Sequence, residues 1–170
     1  MDELRDRVRR VVRQVVMEMV ARGDEPVVDE PEARRPLLVA NWKMHMNAAS
    51  TRDFARRFEA PPGGVEVVVC PPCVLLPVLA DALGAGTQVR LGAQDLHPEP
   101  QGAHTGEHGG PMLRDAGARY VLAGHSERRQ AGEDDALIRD KLLAAEAAGL
   151  VPVLCVGEGE SERSAGATMR

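Results

Sequence analysis

A regular alternation of apolar runs and helix-sized segments sets the strongest limit on how this chain can fold. Along its longer second part the apolar runs begin near Leu37, Val65, Val89, Tyr120 and Val151. Alternating strands and helices are typical of parallel βαβ units, because each crossover helix returns the chain to the end of the sheet at which the preceding strand began. The sequence therefore predicts an α/β domain with five parallel strands and four intervening helices.

The helical segments carry their own boundary signals. The clearest helix covers Asp134 to Ala148, where apolar residues recur at helical spacing and a glycine follows. Ser50, followed three residues later by Asp53, is typical of the start of the first helix. Shorter helices are expected over residues 73–83 and 111–117.

A polar cluster follows the fourth apolar run without a gap. The run ends at Gly124, and the next residues are His125, Ser126, Glu127, Arg128 and Arg129. This pattern predicts a buried strand that delivers the cluster to its carboxyl end. In parallel sheets and barrels that end is where ligands bind and chemistry takes place. The cluster is therefore the first candidate for a functional site.

The segment Gly-His-Ser-Glu-Arg-Arg after an apolar strand resembles the electrophilic-histidine segment of the triosephosphate isomerase family. A second segment, Ala40 to Met44 (Ala-Asn-Trp-Lys-Met), resembles the first-strand motif of the same family, which carries its active-site lysine. The two motifs occur in the family's order. The resemblance covers residues 37–170 and implies a partial (β/α)8 barrel, strands one to five with their helices, preceded by an N-terminal helix.

Length limits how much of that barrel is present. A complete (β/α)8 barrel takes about 250 residues, and the resemblance begins only at Leu37 of a 170-residue chain. The expected missing part includes the strand with the family's catalytic glutamate, its mobile lid and the phosphate-binding loops. A cut fragment, a broken gene and one half of a split enzyme all fit this pattern.

The resemblance implies an isomerase that interconverts glyceraldehyde 3-phosphate and dihydroxyacetone phosphate through an enediolate, in glycolysis and gluconeogenesis. No metal or organic cofactor is expected, because a base, an electrophile and a fixed cation suffice for this chemistry. Since the base is expected in the missing part, the isolated chain should show little or no turnover. The alternatives are an isomerase of another small ketose phosphate and a non-catalytic half-barrel that binds a partner or a second half.

The two motifs supply the candidate site residues. Lys43 follows the first strand, and its ammonium could neutralise a phosphorylated substrate and the charge growing on an enediolate oxygen. His125 precedes a helical turn, and a neutral imidazole there could polarise a substrate carbonyl, a device for which this family is the known example. By the resemblance, Glu127 supports the site and pairs with Lys43, and Asn41 helps to bind the substrate. The competing interpretations are a solvated lysine, a structural histidine and a surface Glu-Arg-Arg cluster.

A long polar loop from Gln94 to Gly106 follows the third apolar run. In the family this loop reaches into a neighbouring subunit, so the resemblance implies that Thr105 is an interface residue and that the full-length protein is a homodimer. Asp95 departs from the family pattern, which has asparagine after the glutamine, and His104 is a second departure. Both departures leave the exact sugar phosphate open.

Two short motifs point to other chemistry and are weaker. Residues 104–108, His-Thr-Gly-Glu-His, match an inverted zinc-peptidase pattern, but that site needs a stable helix and the glycines and proline here oppose one. Cys70 and Cys73 form a C-x-x-C whose two central prolines favour a rigid turn over a redox pair. Cys155 is expected as a small core residue on the fifth strand. We therefore expect no metal site.

Composition excludes several classes of protein. A net charge of −5 opposes a nucleic-acid binder, which usually carries a basic excess. No apolar run approaches the roughly 20 residues of a membrane span, and the N-terminus lacks the apolar region of a secretory signal. Three cysteines fit a reducing compartment better than a disulfide scaffold. These features predict a cytoplasmic protein, and the resemblance implies that its partners are small phosphorylated sugars.

Residues 1–36 stand apart from the barrel-like part. Apolar residues recur at helical spacing over residues 1–24, and a charged, proline-punctuated linker covers residues 24–36. This helix could pack on its own domain or dock into the groove of a partner. It weakly resembles the terminal helices that target enzymes to bacterial microcompartments.

Overall fold

The computed structural model describes residues 36–59, 61, 64–158 and 163–164. These residues form one sheet, in which every strand pairs with its sequence neighbour and all pairs are parallel. The strands are β1 Leu37–Asn41, β2 Glu66–Cys70, β3 Val89–Ala93, β4 Ala118–Ala123 and β5 Val151–Leu154. The predicted five-stranded parallel sheet is confirmed within this part of the chain. The predicted helix over residues 1–24 and nearly all of the linker lie outside the described residues.

Helices connect all successive strands. They are α1 Ala48–Arg57, α2 Leu76–Leu83, α3 Gly110–Asp115, α4 Ser126–Gln130 and α5 Asp135–Ala147, and a 3-10 turn, Cys73–Leu75, precedes α2. The connection from β4 to β5 therefore holds two helices where the sequence pattern predicted one. In the ranges that the structure covers, no helix has both the length and the apolar character of a membrane span.

The first helix begins three residues before the predicted start. The side chain of Asn47 accepts hydrogen bonds from the backbone N–H groups of Ala49 and Ser50, each at 3.0 Å, and the Ser50 hydroxyl accepts one from the Asn47 N–H at 3.0 Å. Ser50 thus occupies the third helical position, and Asn47 is the cap. The prediction was wrong because asparagine caps a helix as well as serine does.

Side chains alternate between two apolar layers. Val67 and Val69 on β2 belong to the large outer cluster that packs against the helices, whereas Val68 and Cys70 belong to a smaller inner cluster with Leu122. This alternation follows from the two-residue period of a strand. The inner cluster is the concave face expected for part of a barrel.

The register brings the carboxyl ends of the strands to one edge. Asn41 lies opposite Cys70, and Ala123 lies opposite Leu154, so neighbouring strands end together. The residues that follow each strand, including Lys43 and His125, therefore meet at this edge. It is the edge on which parallel sheets and barrels place their functional groups.

Gly92 on β3 gives a test of packing on the inner face. A methyl group at Gly92 would lie 2.5 Å from the Cys70 sulfur, whereas one at Gly157 would meet nothing within 4 Å. We therefore expect Gly92→Ala to lower the free energy of unfolding by about 1–3 kcal/mol through overpacking, measured by urea denaturation. Cys70→Ala should relieve part of that loss. Equal effects of Gly92→Ala and the control Gly157→Ala would contradict this account.

Candidate active site

Lys43 is fixed at the carboxyl end of β1 through its backbone. Its φ of +53° lies in the left-handed region, which for a residue other than glycine costs about 1–3 kcal/mol. The Asn41 side chain accepts a hydrogen bond from the Lys43 N–H at 2.8 Å, and the Gln94 side chain donates to the Lys43 carbonyl at 2.8 Å. Gln94 also donates to the Cys70 carbonyl at 2.9 Å. The ends of β1, β2 and β3 thus hold this strained backbone together.

The Lys43 side chain reaches the segment that follows β4. Its Nζ lies 2.8 Å from Oε1 of Glu127, a residue 84 positions further along the chain. The hydrogen bond from Lys43 holds the pKa of Glu127 below its ordinary value. The structure therefore brings together the two predicted motifs through this contact, and their catalytic roles stay predictions.

His125 is the N-cap of α4. Its Nδ1 accepts a hydrogen bond from the Glu127 N–H at 3.2 Å and lies 3.7 Å from Oε2 of the same residue. Because Nδ1 acts as the acceptor in the hydrogen bond, a neutral ring carries its proton on Nε2. The side chain is 22% exposed. In that tautomer the remaining nitrogen of His125, Nε2, is a hydrogen-bond donor.

The two arginines after Glu127 anchor α4. Arg129 donates to the Gly124 carbonyl and to the Asp135 carboxylate, each at 2.8 Å. Arg128 contacts Asp95 at 2.8 Å and Glu133 at 2.7 Å. A helix of five residues has little stability of its own, so these contacts determine where it lies.

Arg128 belongs to a partly buried ionic cluster that the sequence analysis missed. The cluster consists of Asp95, Arg128, Glu133 and Lys141, and the Lys141 ammonium lies 2.5 Å from both carboxylates. The side chains of Lys141 and Glu133 are only 3% and 5% exposed. Lysines are rarely buried without a partner of opposite charge. The position of Lys141 on the apolar face of α5 therefore indicated that a carboxylate is buried next to it.

The two carboxylates of this cluster differ in their electrostatic setting. Burial raises the pKa of Asp95 above its ordinary value, an effect that the hydrogen bond from Lys141 only partly offsets. Burial also opposes ionisation of Glu133, but the hydrogen bonds from Lys141 and Arg128 outweigh it and lower the pKa of Glu133. The structure thus places Asp95, noted above as a departure from the family pattern, among these charges.

The loop after β3 is irregular and exposed. Thr105 lies in a turn at its tip, and the rings of His97 and His104 stack with their centroids 3.8 Å apart. Residues 104–108 form no helix, so they lack the geometry of the zinc-peptidase pattern. Within the described part of the chain, no group of three His, Cys, Asp or Glu side chains is arranged to hold a metal ion.

Of the three cysteines, Cys70 and Cys155 lie on the inner face and Cys73 packs against the outer cluster. Cys70 ends β2, Cys73 begins the 3-10 turn, and both are free thiols. Burial raises the pKa of Cys70 to about 12, which opposes thiolate chemistry. Cys155 directly follows β5 and packs against the inner cluster, so it is one residue beyond the strand that was expected to contain it.

A cleft of about 320 Å³ lies beside the ionic cluster. Its walls include Arg128, Glu133 and Lys141, and Lys43, His125 and Glu127 are not among them. The candidate site and this cleft are therefore separate, and α4 contributes residues to both.

The structure is a parallel α/β half-barrel with a lysine, a histidine and a glutamate at the carboxyl edge of its sheet. This is the architecture of the (β/α)8-barrel enzymes, whose active sites lie at the carboxyl ends of the strands. A family profile described as triosephosphate isomerase matches residues 36–170. The chain belongs to the triosephosphate isomerase family.

Relatives and solved structures agree with this assignment. The chain is 49% identical to triosephosphate isomerase of Moorella thermoacetica over 139 residues, which is 80% of this chain and 55% of that relative. It is 51% identical to the enzyme of Dinoroseobacter shibae over 138 residues, 80% of this chain and 56% of the relative. A crystal structure of triosephosphate isomerase from Bartonella henselae superposes with a TM-score of 0.72 at 39% identity, covering 79% of this chain and 56% of that one.

These comparisons confirm the predicted family and the predicted partial (β/α)8 barrel. The chain spans about 55% of the length of the curated relatives that it matches. The resemblance read from two short motifs thus extends over the whole barrel-like part of the sequence.

The contact between Lys43 and Glu127 has a measurable pH dependence. Because the folded-state pKa of Glu127 lies below its ordinary value of 4.5, the ion pair should persist at neutral pH and break only as the pH falls through that lower value. Carboxyl ¹³C NMR titration measures this. Lys43→Met should move the Glu127 titration back toward 4.5, and Arg56→Met, which removes a partner of Asp53 on α1, should not. An unchanged Glu127 titration in Lys43→Met would contradict the pairing.

Proposed function

We propose that this chain supplies the first five strands of an isomerase that interconverts glyceraldehyde 3-phosphate and dihydroxyacetone phosphate, a step of glycolysis and gluconeogenesis. One observation carries the proposal: Lys43, Glu127 and His125 form a connected group at the carboxyl edge of the sheet. Membership of the triosephosphate isomerase family supports the same reaction. A related small ketose phosphate is the second candidate substrate, because the contacts to the sugar lie partly outside this chain.

Each residue of the group has a role in this mechanism. The Nε2–H of His125 donates to the substrate carbonyl, and the Lys43 ammonium stabilises the negative charge that develops on the enediolate oxygen. Glu127 orients the ammonium through the 2.8 Å contact, and Asn41 binds substrate and fixes the Lys43 backbone. No step requires a metal or an organic cofactor.

The general base is proposed to come from the half of the barrel that this chain does not match. That base removes a proton from the carbon next to the carbonyl, and the electron pair of the broken C–H bond forms the enediolate. The proton of the hydroxyl on that carbon passes to the former carbonyl oxygen, and the base returns its own proton to the former carbonyl carbon, so that the first carbon becomes the new carbonyl. None of the described acids is proposed for this role, since Glu127 is engaged by Lys43. We therefore propose that the 170-residue chain alone has little or no activity.

The two edge strands, β1 and β5, expose apolar side chains, which favours pairing with further strands. Leu37 and Leu38 on β1 and Val151 on β5 are 46%, 52% and 51% exposed. Apolar side chains on unpaired strands promote association, so we propose that β1 and β5 pair with additional strands of the same polypeptide or of a partner chain. We also propose that the completed enzyme lies in the cytoplasm. Residues 1–24, for which the sequence predicts a helix, are a proposed docking segment.

The proposed reaction can be tested in a chimera that completes the barrel. Residues 36–158 would be joined to the C-terminal half of the Moorella thermoacetica relative, which is 49% identical over the shared part. We expect isomerase activity, and we expect His125→Asn to lower kcat about 10²- to 10⁴-fold because the proton donor to the carbonyl is lost. Steady-state kinetics in both directions measures this.

Two controls make the result specific. His45→Asn makes the same chemical change at an exposed histidine of the same strand end and should leave kcat unchanged, and the 170-residue chain alone should be inactive. A folded chimera whose activity survives His125→Asn would refute the proposed role of His125. Turnover by the isolated chain that depends on His125 would refute the proposed origin of the base.

We also propose that the completed barrel is a homodimer with Thr105 at the interface, as the exposed position of Thr105 on the loop after β3 permits. Thr105→Asp in the chimera should raise the dimer dissociation constant about tenfold or more, because a charge would be desolvated at the interface. Sedimentation equilibrium measures this change. The control Ala49→Asp adds the same charge at an exposed position on α1. A dissociation constant equal in the two variants would contradict the assignment.

A further inference from the structure

We propose that the stacked rings of His97 and His104 hold the loop after β3 in a fixed shape and thereby present Thr105 to a second copy of the chain. The second copy as partner rests on the proposed homodimer. The contacts that hold the loop lie within residues 97–109 of one chain, so they can form without a partner.

His97 is fixed through its backbone at the start of the loop. Its N–H donates to the His108 carbonyl at 2.9 Å, and it forms an isolated parallel β-bridge with Gly109. Gly109 passes so close to Pro100 that a methyl group at this glycine would clash with the Pro100 carbonyl. The beginning and the end of the loop are thus held together.

The imidazole of His97 contacts two further points of the loop. Its Nδ1 accepts a hydrogen bond from the Glu99 N–H at 3.1 Å. Its face stacks on the ring of His104, with the ring centroids 3.8 Å apart and the ring planes inclined by 30°. His97 is therefore connected to the loop through its backbone, one ring nitrogen and the face of its ring.

His104 is the first residue of the turn that carries Thr105. The Glu107 N–H donates to the His104 carbonyl at 3.0 Å, which closes a four-residue turn with Thr105 and Gly106 at its centre. Gly106 has a φ of +89°, and a positive φ at the third residue is what a type II turn requires. Thr105 is exposed at the corner of this turn. The ring stack thus holds the residue from which the turn starts.

A loop of fixed shape favours association, because less conformational freedom is lost when the partner binds. Between β3 and α3 the chain forms no helix, so a regular series of backbone hydrogen bonds does not supply this rigidity. Loops of this kind are usually mobile. The ring stack reduces that mobility here. The property required at position 104 is the face of a ring, which phenylalanine also offers.

Hydrogen exchange on the 170-residue chain measures the order of the loop without substrate or partner. In His104→Ala we expect the Glu107 amide, which donates within the turn, to exchange at least about tenfold faster. His104→Phe keeps a flat ring and should retain the native rate. The matched control His108→Ala removes an imidazole from the same loop, where His108 accepts through its backbone carbonyl, and should also retain it. A native rate in His104→Ala, or a fast rate in His104→Phe, would overturn the proposal.

The dimer dissociation constant of the chimera, measured by sedimentation equilibrium, tests the effect on a second copy. We expect His104→Ala to raise it about tenfold or more. His97→Asn keeps an acceptor for the Glu99 N–H but removes the ring, so it should have a similar effect. Because each change abolishes the same stack, the double variant should dimerise no more weakly than either single variant. Additive effects, or no effect of either single change, would contradict a role of the stack in association.

Failure of the proposed function would be seen separately. A dimeric chimera without isomerase activity would refute the proposed reaction and leave the results on the loop intact. A monomeric chimera would refute the proposed dimer and, with it, the presentation of Thr105 to a second copy.

Discussion

Parallel pairing of each strand with its sequence neighbour is the constraint on which the rest of the structure depends. Because all five strands run the same way and pair in sequence order, the residues that follow them gather at one edge. Lys43 and Glu127 are 84 positions apart in sequence and still form a 2.8 Å contact there. No local interaction could produce this meeting. The crossover helices make it possible, since each returns the chain to the opposite end of the sheet before the next strand begins.

The polar groups at this edge form two layers with different physical properties. The side chains of the exposed pair, Lys43 and Glu127, are about half exposed. Exposed ion pairs contribute little to folding stability. In the ionic cluster, the side chains of Lys141 and Glu133 are buried, so the hydrogen bond between them is stronger and its geometry is narrowly defined. Arg128, the residue after Glu127 on α4, contacts Asp95 and Glu133. The exposed pair and the ionic cluster are therefore joined through α4.

The sequence predicted those features that depend on local pattern or on a family motif. It predicted the five strands, the α5 helix to within one residue at each end and the meeting of Lys43 with Glu127. It did not predict the role of Gln94 or the ionic cluster, because Asp95 and Lys141 are 46 positions apart and their contact depends on how α5 packs on the sheet. The apolar face of α5 did include Lys141, and a lysine on a buried face requires a buried carboxylate. The sequence thus shows that Lys141 needs a carboxylate partner. Which carboxylate it contacts is decided by how α5 packs on the sheet.

Charge balance determines how the ionic cluster acts on the groups at the carboxyl edge. Asp95 and Glu133 directly contact Arg128 and Lys141, and the negative charge of Glu107 also acts on Arg128. Opposite charges this close largely cancel at a distance, because the field of a compact group of mixed charges falls off faster than that of a single charge. The charge around His125 is then set mainly by Lys43 and Glu127, which lie 2.8 Å apart. The ionic cluster therefore acts on the neighbourhood of His125 mainly through its contacts with α4.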